Sequence, residues 1–299
     1  MNRHAYIVLA HNEPEVLKVL LRLIDDERND IFLHIDKKTD IRLFGELKTA
    51  RSHLVMLPRM NIIWGGDSQM RLELMALSES RKFGDYSRYH IISGVDLPLK
   101  SQDFIHDFFD VKYPNREFVG FSSNNLNHPE WRAQWEYPYF FADRARDTCF
   151  IRRKFFSCLR GLLRFWFKLV GWRQIFIGEL KKGSNWVSVT QPFVDWLLAH
   201  REIIERQFKH VFCSDEKFLH TAIWNSPFRD NLFDLEDEMN GGMREIDWER
   251  GTPYVWRMED FENLMSSDRL FARKFSSRHM DVIYAIRDRL MAEQSKTIR

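Results

Sequence analysis

Apolar positions in the amino-terminal part of the chain fall into two alternating kinds of segment. Ala5–Ala10 is a short run without charge, which reads as a buried strand. Beyond it Asn12 is placed to cap a helix, Pro14 sits in the first turn, and Val16, Leu17, Leu20, Leu21 and Ile24 recur on one helical face. Ile31–Asp36 and His53–Leu57 repeat the strand pattern, and Ser68–Lys82 repeats the helical one. Arg88–Ser93 is a further strand, closed by Gly94. Strands separated by helices need crossover connections, so the pattern predicts an α/β fold with a mostly parallel sheet flanked by helices. Ligands of such sheets bind beyond the carboxyl ends of the strands. Three polar clusters fall at those ends: Ala10-His11-Asn12, His34-Ile35-Asp36 and Ser93-Gly94-Val95-Asp96.

Residues 148–178 differ in character. No acid occurs between Asp147 and Glu179, while basic residues recur from Arg152 to Arg173. On a helix Arg153, Arg160, Arg164 and Lys168 form one stripe, and Phe155, Leu159, Leu162, Trp166 and Leu169 fall on the opposite face. Such a helix suits an anionic membrane surface; the alternative is a helix packed on its own domain with a solvated basic face.

Composition narrows the classes. The 299 residues are 44% hydrophobic and 29% charged with a net charge of +2, which excludes wholesale disorder and a heavily basic nucleic-acid coat. No nucleic-acid partner is expected. Cys149, Cys158 and Cys213 have neither disulfide-framework nor zinc spacing, so a reducing, cytoplasmic setting is the default. No window is long and apolar enough for a signal-peptide core or a membrane span. GxGxxG and GxxxxGK[ST] are both absent, which removes support for a dinucleotide site or a P-loop. Without an internal repeat or a linker, one domain is expected over residues 1–299. It divides into parts ending at about 125 and about 275, followed by a carboxy-terminal helix.

Specific chemistry enters with a series of segments in order. They are Ile62-Ile63-Trp64-Gly65-Gly66-Asp67-Ser68, Ser93-Gly94-Val95-Asp96-Leu97-Pro98, Gly183-Ser184-Asn185-Trp186-Val187, Ser214-Asp215-Glu216-Lys217-Phe218, Ile246-Asp247-Trp248-Glu249-Arg250-Gly251 and Phe271-Ala272-Arg273-Lys274-Phe275. In order and spacing they resemble the core-2/I-branching enzyme family of glycosyltransferases, over nearly the whole chain. That family includes β-1,6-N-acetylglucosaminyltransferases and peptide O-xylosyltransferases. The resemblance implies a GT-A-like fold, a UDP-sugar donor and transfer with inversion, with no cofactor and no essential metal. Animal members carry a membrane anchor, a stem and disulfides; this chain is more similar to a bacterial member, acting on a glycan or lipid-linked glycan, with the basic helix at the cytoplasmic face of the inner membrane.

Inverting transfer needs a general base for the acceptor hydroxyl and positive charge at the departing diphosphate. The chain has no Asp-x-Asp triplet to hold a metal there, so Arg and Lys are the available cations. The resemblance implies that Glu216 is the base, that Lys274, Arg273 and Arg250 face the diphosphate, and that Asp36 lies at the uridine ribose. It likewise puts Ala10, His11 and Trp64 along the nucleotide. Asn185-Trp186 stands where the xylosyltransferases have Asp-Trp in the donor site, and Trp131, Arg132 and Trp248 fall on the acceptor side. N-Acetylglucosamine is the first choice of sugar and xylose the second. By itself each residue has a plainer reading: Glu216 an acid at a helix start, Asp36 a turn cap, Trp64 and Trp186 core rings. A glycan-binding protein without transfer activity is the alternative function. A glycoside hydrolase would need a second opposed carboxylate, which the motifs do not nominate.

Overall fold

The computed structural model describes residues 2–122, 134–145 and 147–297. A five-stranded sheet forms from β1 (His4–Ala10), β2 (Asn29–Ile35), β3 (His53–Met56), β4 (Arg88–Ser93) and a late antiparallel edge strand, Ser188–Thr190. The order is β3-β2-β1-β4 followed by that edge, and the first four strands are mutually parallel. Helices α1 (Pro14–Leu23) and α2 (Ser68–Phe83) make crossovers on opposite faces. Alternation along β1 shows why the strands are apolar throughout. Tyr6, Val8 and Ala10 enter the core shared with α1, whereas Ala5 and Ile7 enter the core shared with α2. A parallel strand covered on both faces has no solvent side to make polar.

The expected elements are present with shifted ends. Asn12 is not the cap of α1. Glu13 holds that position, with φ 54° and no side-chain capping bond. Its carboxylate instead accepts from Ser276 Oγ and Ser277 N, both at 2.8 Å, and so ties the start of α1 to the carboxy-terminal region.

A second sheet escapes sequence reading. It contains β5 (Asp96–Pro98), β7 (Arg244–Ile246) and β8 (Phe271–Arg273), in the order β5-β8-β7, with the edge strand Ser188–Thr190 numbered β6. The segment Asp96-Leu97-Pro98, which looks like a turn, is a strand antiparallel to β8. Helix α3 (Gln102–His106) follows β5, and the basic segment forms α4 (Phe150–Leu169). Further on come α5 (Gln191–Ala199), α6 (Arg201–Phe208), α7 (Phe218–Trp224), α8 (Glu238–Gly242), α9 (Phe261–Ser266) and the carboxy-terminal α10 (Met280–Thr297). Val282, Ile283, Ile286 and Leu290 of α10 pack into the same core as α1. Among the described residues no helix is long and apolar enough to cross a membrane.

Candidate functional site

In such a sheet the ligand crevice lies beyond the carboxyl ends of the strands; here those of β1, β2 and β4 stand side by side, and β8 of the small sheet reaches the end of β4 through Arg273 and Ser93. The end of β4 is drawn tightly against β1. Gly94 N donates to Leu9 O at 2.9 Å, and a Cβ on Gly94 would stand 2.8 Å from that of Ala10. His11 follows directly. Desolvation lowers its pKa, Asp36 opposes that shift, and Arg273, Lys38 and Lys274 add to it. The predicted residues His11, Asp36, Arg273 and Lys274 therefore lie near one another, although the sequence separates them widely.

Asp36 also has the turn-forming role. Its Oδ1 accepts from Lys38 N at 2.9 Å, its Oδ2 is 3.6 Å from Lys38 Nζ, and its main-chain N donates to Ala10 O. The carboxylate is thus fixed at the strand end by its own turn.

Arg273 is held from three sides. The register of β5 on β8 sets it opposite Asp96, and its Nη1 donates to Asp96 Oδ1 at 2.9 Å and to Ser93 Oγ. Its guanidinium lies over the Trp186 ring, 4.3 Å from the centroid. Asp96 in turn accepts from Ser93 N and Ser93 Oγ. Lys274 extends from the next position, and its side chain forms no ion pair among the described residues. The loop after β7 backs this pair. Trp256 Nε1 donates to Arg273 O, and Trp256 N to Lys274 O. Arg250, on the loop after β7, already has partners. It donates to Asp247 and to Asp260, the latter at 2.8 Å, and stacks 4.0 Å from the Tyr254 centroid. Two carboxylates already balance its charge, so it braces the loop in this structure. Trp248 projects from the same loop and is half exposed.

Glu216 stands just before α7, with a side chain 42% exposed and an oxygen 3.8 Å from Lys182 Nζ. Sequence reasoning passed over Lys182, which sits at 11% exposure between Glu216 and Glu238; burial lowers its pKa and these carboxylates counter it. The main chain of Glu216 accepts from Gly183 N at 3.0 Å. Gly183 is packed so closely that a Cβ would fall 2.0 Å from Gly120 O, so this stretch cannot swing away. It leads within three residues to Trp186, and hence to Arg273. Glu216 and the Arg273–Lys274 pair are accordingly joined through one short segment.

Behind Glu216 lies a buried acidic group that the motifs did not reveal. Asn185 Nδ2 donates to Glu73 Oε1 at 3.0 Å. Burial raises the Glu73 pKa well above the usual carboxylate range, helped by Asp215. Asp215 is pushed up to about 7 by burial and by Glu216. Asn185 is therefore oriented by a buried carboxyl whose charged form burial disfavours. Trp64 is 45% exposed and meets Phe212 edge-on at 5.4 Å, while Gly65 O accepts from Cys213 N. The Trp64 loop thus abuts the chain leading to Glu216. Trp131 and Arg132 lie outside the described residues.

Only His4, His106 and Asp110 among the described residues group closely enough to hold a metal ion. They sit at the amino end of β1, about 20 Å along the strand from its carboxyl end. Their atoms are spent on one another and on Asn29, Ser87 and His90, and the His4 and His106 rings stack at 3.9 Å. Burial brings His4 down to about 3. This is an internal hydrogen-bond network.

Xylosyltransferase 2 from Canis lupus familiaris and from Homo sapiens each share 26% identity over 92% of this chain and 32% of their own length. Xylosyltransferase oxt of Drosophila melanogaster shares 24% identity over 86% of this chain and 30% of its own. The chain thus spans about a third of the length of these relatives. A crystal structure of S. aureus TarS 1-349 aligns with 46% of the chain and 40% of its own at 12% identity and a TM-score of 0.27. The family model described as Core-2/I-Branching enzyme matches residues 4–265, from the first strand to the helix before β8. With that match covering most of the chain, the chain belongs to the core-2/I-branching enzyme family of glycosyltransferases.

Proposed function

We propose that the protein transfers a sugar from a UDP-sugar to a hydroxyl of a glycan or lipid-linked glycan, with inversion at the anomeric carbon. The acceptor oxygen bonds to that carbon as the bond to the diphosphate oxygen breaks. Glu216 takes the hydroxyl proton, and UDP leaves with the bonding electron pair. Arg273 offers its guanidinium and Lys274 its ammonium to the developing charge on the diphosphate. His11 and Asp36 line the nucleotide side, and Asn185 with Trp186 borders the sugar. The carrying observation is the short bridge from Glu216 through Gly183 to Trp186, on which Arg273 stacks.

UDP-N-acetylglucosamine and UDP-xylose are the two donors to compare, the second supported by the names of the relatives. Because the reading assigns the diphosphate charge to side chains, transfer should persist in EDTA. The deciding experiment pairs calorimetry with a UDP-release assay on Glu216→Gln. UDP affinity should stay within about twofold and turnover fall at least a hundredfold, roughly the contribution of a general base. Turnover near that of the unaltered protein would refute the assignment. A chain that binds UDP-sugars but releases no UDP with any acceptor would be a binding protein.

A further inference from the structure

Helix α4 carries apolar side chains on two faces. In a soluble amphipathic helix one apolar stripe faces the core. In α4 that stripe is the half-buried Phe156, Leu159, Leu163 and Phe167, with Arg160 beside them, and cations flank it. Arg160 lies over the Tyr139 ring at 4.9 Å, Arg164 over Tyr137 at 5.7 Å and Lys168 over Tyr137 at 5.9 Å. Phe156 lies 5.1 Å from the Phe141 ring and Phe167 6.3 Å from that of Phe140. A second apolar face points away: Phe155, Leu162, Phe165, Trp166 and Leu169 are 58–68% exposed, and no residue of the helix is buried. The surface continues past the helix through Ile175, 90% exposed, and Ile177, 76% exposed. The helix is thus held to the body by one apolar face and by cation–ring contacts, while a second hydrophobic face is presented outward.

Charge decides what covers that face. The segment from 148 to 178 is free of acids. A second copy docking through the same patch would bring two acid-free, cationic surfaces together, which is repulsive. An anionic bilayer satisfies both features at once. A helix of 20 residues, about 30 Å long, can lie flat with its rings among the acyl chains and its axis at headgroup level. Arg152 and Lys154 then fall about 100° to either side of Arg153, on the two flanks of the apolar stripe, where lipid phosphates lie. We propose that α4 docks the protein peripherally on an anionic phospholipid membrane. This inference goes beyond the transfer reaction and does not depend on it.

The test is flotation of the full chain with vesicles of phosphatidylcholine containing phosphatidylglycerol, against phosphatidylcholine alone. The protein should float only with the anionic vesicles, and less as salt rises. The double variant Leu162→Glu, Trp166→Glu should bind at least about tenfold more weakly, and Arg152→Glu with Lys154→Glu about fivefold or more per residue. All four positions are exposed, so melting temperature and UDP affinity should stay unchanged. Cys158 shares the apolar face with Leu162 and Phe165, and an environment-sensitive dye there, with Cys149→Ser, should shift to the blue on anionic vesicles. Failure to float, or equal flotation of the Leu162 and Trp166 variant, would overturn the proposal. So would a dimer in sedimentation that the same variant turns into a monomer, since a second copy would then be the occupant.

Discussion

Asp96 and Arg273 are 177 residues apart in the chain and meet at 2.9 Å because β5 and β8 pair in a register that sets them opposite each other. Asp96 is almost fully buried, at 2% exposure, and also holds Ser93 at the end of β4. It therefore aims the guanidinium while remaining out of the crevice. Asp96→Asn keeps the shape and removes the charge-assisted bond. The donor KM should rise about tenfold while kcat changes less than about threefold, because binding is disturbed more than chemistry. A fall in kcat with KM unchanged would mean that Asp96 does not act through Arg273.

Lys182 is the cation nearest to Glu216, at 3.8 Å. Lys182→Met removes the positive charge that the fold sets beside that carboxylate, and kcat/KM should fall about threefold, the scale of one partly solvated ion pair. Lys182→Arg should restore most of the loss. If both variants turn over as the parent does, Lys182 has no bearing on the base.

Asp215 gives a stability signature. In the unfolded chain it titrates at 3.8, and in the folded protein at about 7. Below the lower value both states are protonated and the group contributes nothing to a pH dependence. Between the two the folded state keeps a proton that the unfolded state has lost, so stability falls as pH rises, and above about 7 the penalty is complete. Its full size is on the order of 4 kcal/mol. Asp215→Asn escapes it. Relative to the parent, the variant should gain melting temperature steadily from about pH 4 to about pH 8, by roughly 5 °C or more in all. A difference between the two proteins that stays flat over that range would contradict the burial argument.

The four parallel strands and both early crossover helices were legible because each is an apolar run or an apolar repeat, and all but the short edge strand β3 bury it. Strands β5, β6, β7 and β8 were not, since each has three residues and pairs with chain far away in sequence. The same limit governs the site. Glu216, Arg273 and Lys274 could be nominated from motifs, but the state of each depends on neighbours that only folding supplies. Arg250 shows the consequence: a cation in the sequence, it is balanced by Asp247 and Asp260 in the fold. Lys182 and Glu73 show the converse, being unremarkable in sequence and adjacent in space to Glu216 and Asn185. The amphipathic pattern of α4 was plain, but which face would meet the body was not.

Gly94 tests how closely the rim of the crevice is built. A methyl group there would stand 2.8 Å from Ala10 Cβ, 3.4 Å from Ala10 Cα and 3.6 Å from Leu17 Cδ1. Ala10 is fixed by pairing of β1 with β2, and Gly94 by its bond to Leu9, so neither backbone yields freely. Gly94→Ala should cost about 1–3 kcal/mol as an overpacking change and lower the melting temperature by several degrees. It should also weaken UDP binding, because the carboxyl ends of β1 and β4 are pushed apart under the nucleotide. Ala10→Gly removes the opposing Cβ, which is the tightest of the three contacts. The double variant should therefore recover most of the stability lost by Gly94→Ala, beyond what the two single effects add up to. Melting curves and UDP titrations of the four proteins complete the cycle. If the two changes are simply additive, the pair does not set the spacing of the strand ends.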